Sequence, residues 1–112
     1  MLFVDYLGPA DLFQAARGAI QERVAAALRT PPRDVVVRRL VVESDYSGVE
    51  VWVEVSSDEQ LVRHGPRLAQ EVSSAIRAAR EVDVWVMFRV VPLDHAFLNG
   101  TPRRRDGRSL AD

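Results

Sequence analysis

The chain has 112 residues, with 15 basic side chains, all of them arginine, against 16 acidic ones, for a net charge of −1. A balance this close leaves no electrostatic footprint for wrapping nucleic acid. The absence of cysteine excludes disulfides, thiolate nucleophiles and Cys-ligated zinc. The opening residues have neither a basic start nor an export-type apolar core. No run approaches the roughly 18 apolar residues of a membrane span, so a soluble, cytoplasmic domain is expected.

Residues 2 to 7 read as an apolar strand. Gly8-Pro9-Ala10-Asp11 reads as a turn, with Asp11 placed to cap a helix. Leu12, Phe13, Ala16, Ile20, Val24, Ala27 and Leu28 then recur at helical spacing. Thr30-Pro31-Pro32 ends that helix, because proline cannot continue its hydrogen-bond ladder. Residues 34 to 42 form a second strand, and a helix between two such strands is the right-handed crossover of a parallel pair. Asp45-Tyr46-Ser47-Gly48 is a connector. Val49 to Val55 alternates with period two, and Ser56-Ser57-Asp58-Glu59-Gln60 has the spacing of a capping box. Leu61, Leu68, Val72, Ile76 and Ala79 keep one helical phase across Gly65-Pro66, which predicts a single kinked helix. A fourth strand spans 83 to 91. Beyond Pro92, residues 101 to 112 read as a flexible Arg-rich tail.

The second half repeats the first. Asp34 to Val42 recurs 49 residues later as Asp83 to Val91, and the same offset matches Val4 to Val53, Leu12 to Leu61, Gln21 to Gln70, Glu22 to Glu71 and Ala26 to Ala75. Two strand-helix-strand copies, 1 to 43 and 49 to 92, in a single domain of residues 1 to 100 predict an α+β fold with a four-stranded mixed sheet and both helices on one face. Alternation turns Val4, Val35, Val37, Val41, Val53, Val84, Val86 and Val90 toward the helices. The other face then carries Phe3, Asp5, Val36, Arg38, Leu40, Glu50, Trp52, Glu54, Trp85, Met87 and Arg89. That face is too apolar to stay wet, and a second copy of the sheet is the simplest cover. Arg39 falls on the helix side, where it must reach an edge, pair locally or serve a site.

The tandem organisation, Ser57-Asp58-Glu59-Gln60 followed by Glu71 to Ile76, and the segment Val84 to Gly100 together resemble the tautomerase superfamily. This is the group containing 4-oxalocrotonate tautomerase and macrophage migration inhibitory factor (MIF), and the likeness is to a small uncharacterised bacterial subfamily. The resemblance implies a homotrimer whose sheets close a central barrel, and a catalytic amino-terminal proline. Here residue 2 is leucine, whose bulk keeps Met1 in place, so the amine in the matching position is that of Met1. The positions of the superfamily's substrate-clamping arginines hold Leu7 and Ser56, and Val36 and Trp85, which argues against the usual dicarboxylate.

The resemblance thus implies a weak or altered keto-enol tautomerase acting on a small oxo acid, without cofactor or metal. Met1 is the catalytic amine, Arg38 or Arg39 holds the anionic group, Trp52 or Phe97 walls the pocket, and His95 and Asn99 line it from the loop after the fourth strand. His64 and His95 are too isolated for a metal site. A non-catalytic small-ligand-binding or assembly module remains open beside it, on this fold or as a ferredoxin-like dimer, which has the same linear order of elements. Expected partners are the chain itself and a small anionic ligand, with neither nucleic acid nor membrane.

Overall fold

The computed structural model describes residues 1–103. Strand β1 (Leu2–Leu7) leads into helix α1 (Ala10–Leu28), and a 3-10 turn at Pro32–Asp34 precedes β2 (Val35–Arg39). The second unit comprises β3 (Val49–Val55), α2 (Asp58–Ala79) and β4 (Val84–Val90), followed by a small hairpin of β5 (Phe97–Leu98) and β6 (Thr101–Pro102). The part of the expected Arg-rich tail from residue 104 on lies outside the described residues.

The sheet order is β2-β1-β3-β4. β1 runs parallel to β2, β3 parallel to β4, and β1 antiparallel to β3. The two units therefore sit side by side, where a ferredoxin-like sheet would interleave them. Val4 pairs directly with Val53, its own counterpart in the repeat, so an internal twofold runs through that pair. The halves differ by a slip: Leu2 faces Val35 but Val49 faces Val84, offsets of 33 and 35. Because side chains alternate with period two, a two-residue slip leaves every residue on its face.

Both helices cover one face. Val4, Tyr6, Val35, Val49, Val51 and Val53 pack there against Leu12, Phe13, Ile20 and Val24 of α1 and Leu68, Val72 and Ile76 of α2, all of them buried. Each such aliphatic side chain contributes about 1.5–3 kcal/mol by leaving water. Gln21 ties α1 to the neighbouring turn by donating from Nε2 to the carbonyls of Pro32 and Val35, both at 3.0 Å.

Local sequence explains the ends of the helices, with one correction. The residue before α1 is Pro9, which offers no side-chain cap, and Asp11 lies inside the first turn. There its Oδ1 accepts from the Leu12 N–H at 2.9 Å and its Oδ2 from Arg80 at 2.6 Å. α1 closes on Arg29 in the left-handed region (φ 54), where the Thr30 N–H reaches the Ala25 carbonyl at 3.0 Å. α2 has the expected capping box. The Ser57 hydroxyl accepts from the Gln60 N–H at 3.0 Å while Gln60 Oε1 takes the Ser56 N–H at 2.7 Å. Pro66 sits inside this helix, which continues through it as one element.

The strands are shorter than their sequences suggest. β2 was expected to reach residue 42 but stops at Arg39. After the Leu40 N–H bonds the Tyr6 carbonyl at 2.8 Å, the partner chain turns at Gly8-Pro9 and offers no further ladder. Val41 consequently stands exposed instead of entering the core, and Val90, last in β4, is also at the surface.

Candidate functional site

Three places hold the residues singled out from the sequence: the open face of the sheet and its two ends. On the open face, one ladder row sets Arg38, Asp5, Trp52 and Met87 side by side. Asp5 is only 2% exposed. Arg38 forks onto it, with Nε on Oδ1 and Nη2 on Oδ2 at 3.2 Å, while Arg89 Nη1 stands 4.0 Å from Oδ2 and 3.5 Å from Glu54 Oε1. This hydrogen bond raises the Arg38 pKa above its usual value and keeps it charged. The guanidiniums also roof aromatic rings, Arg38 over Phe3 at 4.6 Å and Arg89 over Trp52 at 5.1 Å. Arg38 and Trp52 are thus neighbours through a shared carboxylate. Both cations are already engaged, and Trp85, farther along β4 on the same face, is 61% exposed.

The second place is the end of the sheet where β1 begins and β3 and β4 finish. A cleft of about 770 Å³ opens there, lined by Ser56 to Gln60, Arg63, His64, Val90, Pro92 to Asp94, and Arg103. Its floor is the capping box, and its rim is held by the Val91 N–H on the Val55 carbonyl at 2.8 Å. Arg63 Nη2 bonds Glu59 Oε1 at 3.1 Å. The register that places Val4 opposite Val53 brings the start of β1 to this same end. Met1 is 75% exposed and does not line the cleft.

His95, Phe97 and Asn99 follow on the segment after β4. Asn99 (φ 53) and Gly100 (φ 82) form the tight turn between β5 and β6, two left-handed residues as such hairpins require. His95 Nε2 is 3.9 Å from Asp94 Oδ1. Phe97 and Leu98 project into solvent.

Arg39 lies at the third place, the opposite end of the sheet. Its partner across the ladder is Tyr6 whereas that of Val35 is Leu2, so roughly 13 Å of strand separates it from the Met1 end. Arg39 Nε donates to the Gly8 carbonyl at 3.1 Å. Close by, the Tyr6 hydroxyl donates to the Pro9 carbonyl at 2.9 Å, and burial raises its pKa above the ordinary phenol value. Within one protomer, then, Met1 and Arg39 do not converge. Sequence reading marked Ser56 only as the place of an absent clamping arginine and missed Gln60 and Arg63 as cleft residues, Gln60 because its run is explained as a helix cap and Arg63 because it reads as an ordinary helix residue. Among the described residues no three His, Cys, Asp or Glu side chains gather as a metal site. No helix of the described residues is long and apolar enough to cross a membrane.

No family model matches the sequence and no curated protein matches it. Solved structures do. A protein of unknown function from Vibrio cholerae O1 biovar eltor superposes with a TM-score of 0.74 at 15% identity, over 90% of this chain and 86% of that one. A fused 4-OT solved as an asymmetric trimer gives 0.73 at 13% identity, over 95% and 99%. The macrophage migration inhibitory factor of Toxoplasma gondii gives 0.63 at 14% identity, over 89% and 98%. The structural neighbours thus include a fused 4-OT and a MIF, and this chain shares their α+β fold.

Proposed function

We propose that the chain is a homotrimeric tautomerase-type isomerase acting weakly on a small oxo acid. The observation that supports this reading is that β1 begins at the same end of the sheet as the large cleft, in a fold shared with a fused 4-OT and with MIF. In the proposed reaction the neutral Met1 amine takes the hydroxyl proton of an enol, and the ammonium so formed returns a proton to carbon. Nothing is gained or lost, which makes the step an isomerisation. Arg63, on the cleft wall, would turn from Glu59 to hold the substrate carboxylate. Arg38, Trp52, His95, Phe97 and Asn99 would complete the pocket only through a neighbouring protomer.

Self-association is supported by the open face with Phe3, Trp52, Trp85 and Met87, by the two unpaired edges β2 and β4, and by the trimeric fused 4-OT of the same fold. The test is ketonisation of phenylenolpyruvate or 2-hydroxymuconate by a chain whose intact mass shows Met1 retained. The expected result is a rate above buffer that disappears when one residue is added before Met1 and whose KM rises in Arg63→Gln. A rate that survives the added residue removes Met1 as the base. The exposure of Met1 favours a second reading, a non-catalytic module that binds a small ligand, and a rate equal to buffer would leave that reading standing.

A further inference from the structure

The cation that would hold a carboxylate in the large cleft already holds one. Arg63 Nη2 donates to Glu59 Oε1 at 3.1 Å, across one turn of α2. The acid lies four residues toward the amino end, which is the favourable order for such a pair on a helix. The two side chains are 67% and 69% exposed, and an ion pair so open to water is weak. The remaining Arg63 donors have no partner among the described residues. Nor does Glu59 depend on the pair, since it stands in the first turn of α2, where the helix dipole favours a carboxylate. Arg63 can therefore exchange Glu59 for an incoming carboxylate while Glu59 stays where it is.

Such an exchange restricts what can bind. A single hydrogen bond joins the two side chains, so any carboxylate that takes the place of Glu59 on Arg63 stays close to the displaced Glu59 carboxylate. One guanidinium then faces two anions. A ligand with a second carboxylate brings a third, and Asp58, beside Glu59 in the same first turn, has no cation of its own among the described residues. The end of β4 and the turn after it offer apolar surface instead, from Val90, Pro92 and Leu93. A ligand with one carboxylate and an apolar remainder suits this wall, and a dianion does not.

We infer that Glu59 is a specificity-determining residue, which competes with the substrate for Arg63 and restricts the cleft to oxo acids with one carboxylate, such as phenylenolpyruvate, against those with two, such as 2-hydroxymuconate. This rests on the part proposed for Arg63. The test is an amide-shift titration of the full chain by two-dimensional NMR at low ionic strength, with 3-phenylpropanoate as the monoanion and cis,cis-muconate as the dianion. The monoanion should give saturable shifts at Ser56 to Gln60 and bind more tightly than the dianion. Glu59→Gln should tighten the monoanion about twofold, the worth of the exposed pair that binding must break. It should tighten the dianion about twofold again, for a second carboxylate roughly 8 Å away in water. In ketonisation of phenylenolpyruvate the same variant should lower KM and leave kcat unchanged, a split that a role in helix stability would not produce. The inference is overturned by an absence of saturable shifts at the cleft, by a Glu59 variant that binds both ligands unchanged or tightens both equally, or by a gain for the monoanion that persists in full when Arg63→Gln is also present. Binding with the expected pattern but without ketonisation would remove the isomerase and keep Glu59 in this role, whereas ketonisation unaffected by Glu59→Gln would remove this inference alone.

Discussion

The two faces of the sheet are made from the same four strands yet solve opposite problems. The helix-covered face is mostly valine, with Tyr6 as its buried polar residue and Arg39 beside it at the edge, and its energetics are those of area removed from water. The open face alternates aromatic rings with charges, and its central carboxylate, Asp5, is buried with the Arg38 guanidinium forked onto it and that of Arg89 4.0 Å away. The first face is finished within one chain. The second sets Asp5 and Glu54 against Arg38 and Arg89, leaves Glu50 without an ion pair among the described residues, and leaves Trp85 exposed. A closed core specifies the folded chain, and the open face is the surface through which the proposed trimer would form.

The sharpest break in this contrast is a core truncation. Ile76 is fully buried between α1 and the sheet, so Ile76→Ala should cost about 2–5 kcal/mol in urea denaturation. A loss well under 1 kcal/mol would mean that the helix face is looser than its burial implies. On the open face, Asp5→Asn should cost less, about 1–2 kcal/mol. Removing one partner of a buried ion pair is expensive, but Arg38 and Arg89 are each about half exposed and can turn to water. A cost equal to that of Ile76→Ala would show the carboxylate to be as structural as the core. Trp85→Glu should change protomer stability by no more than about 0.5 kcal/mol, as for an ordinary surface site. In the proposed trimer, however, it should lower the mass seen by analytical ultracentrifugation to that of one chain. A variant that still sediments as a trimer would place the subunit contact away from Trp85.

These contrasts also show what the sequence could and could not display. The repeat offset of 49 carries the architecture because each half must bury the same faces, and the direct Val4–Val53 pairing is that offset expressed in space. Period-two alternation placed Arg38, Trp52 and Trp85 on the open face, since a strand leaves its side chains no other choice. It could not show that β2 would stop at Arg39. Leu40-Val41-Val42 is strand-like by itself, and its failure comes from a missing neighbour after Gly8-Pro9, a tertiary fact. For the same reason the sequence does not show that Met1 and Arg39 of one chain lie at opposite ends of the β1–β2 pair. The cleft residue Gln60 was hidden differently: its side chain completes a cap, and a residue with one sufficient reason to be there does not announce a second.

The smallest expected effect lies where neither face is involved, at the contact joining the start of α1 to the end of α2. Arg80 donates to Asp11 there, and this hydrogen bond, aided by the Leu12 N–H, holds the Asp11 pKa below the ordinary value of 3.8. A depressed folded-state pKa means that the contact's contribution is fully present above that ordinary value and is lost as pH falls through the lower, folded one. Asp11→Asn should therefore leave the urea midpoint less changed than Asp5→Asn at neutral pH, because both partners are solvent-exposed and screened. The remaining difference from wild type should vanish in acid, where the wild-type carboxyl has itself been neutralised. A midpoint gap that persists or widens below that range would show that Asp11 acts through its place in the first turn of α1, and not through its charge on Arg80.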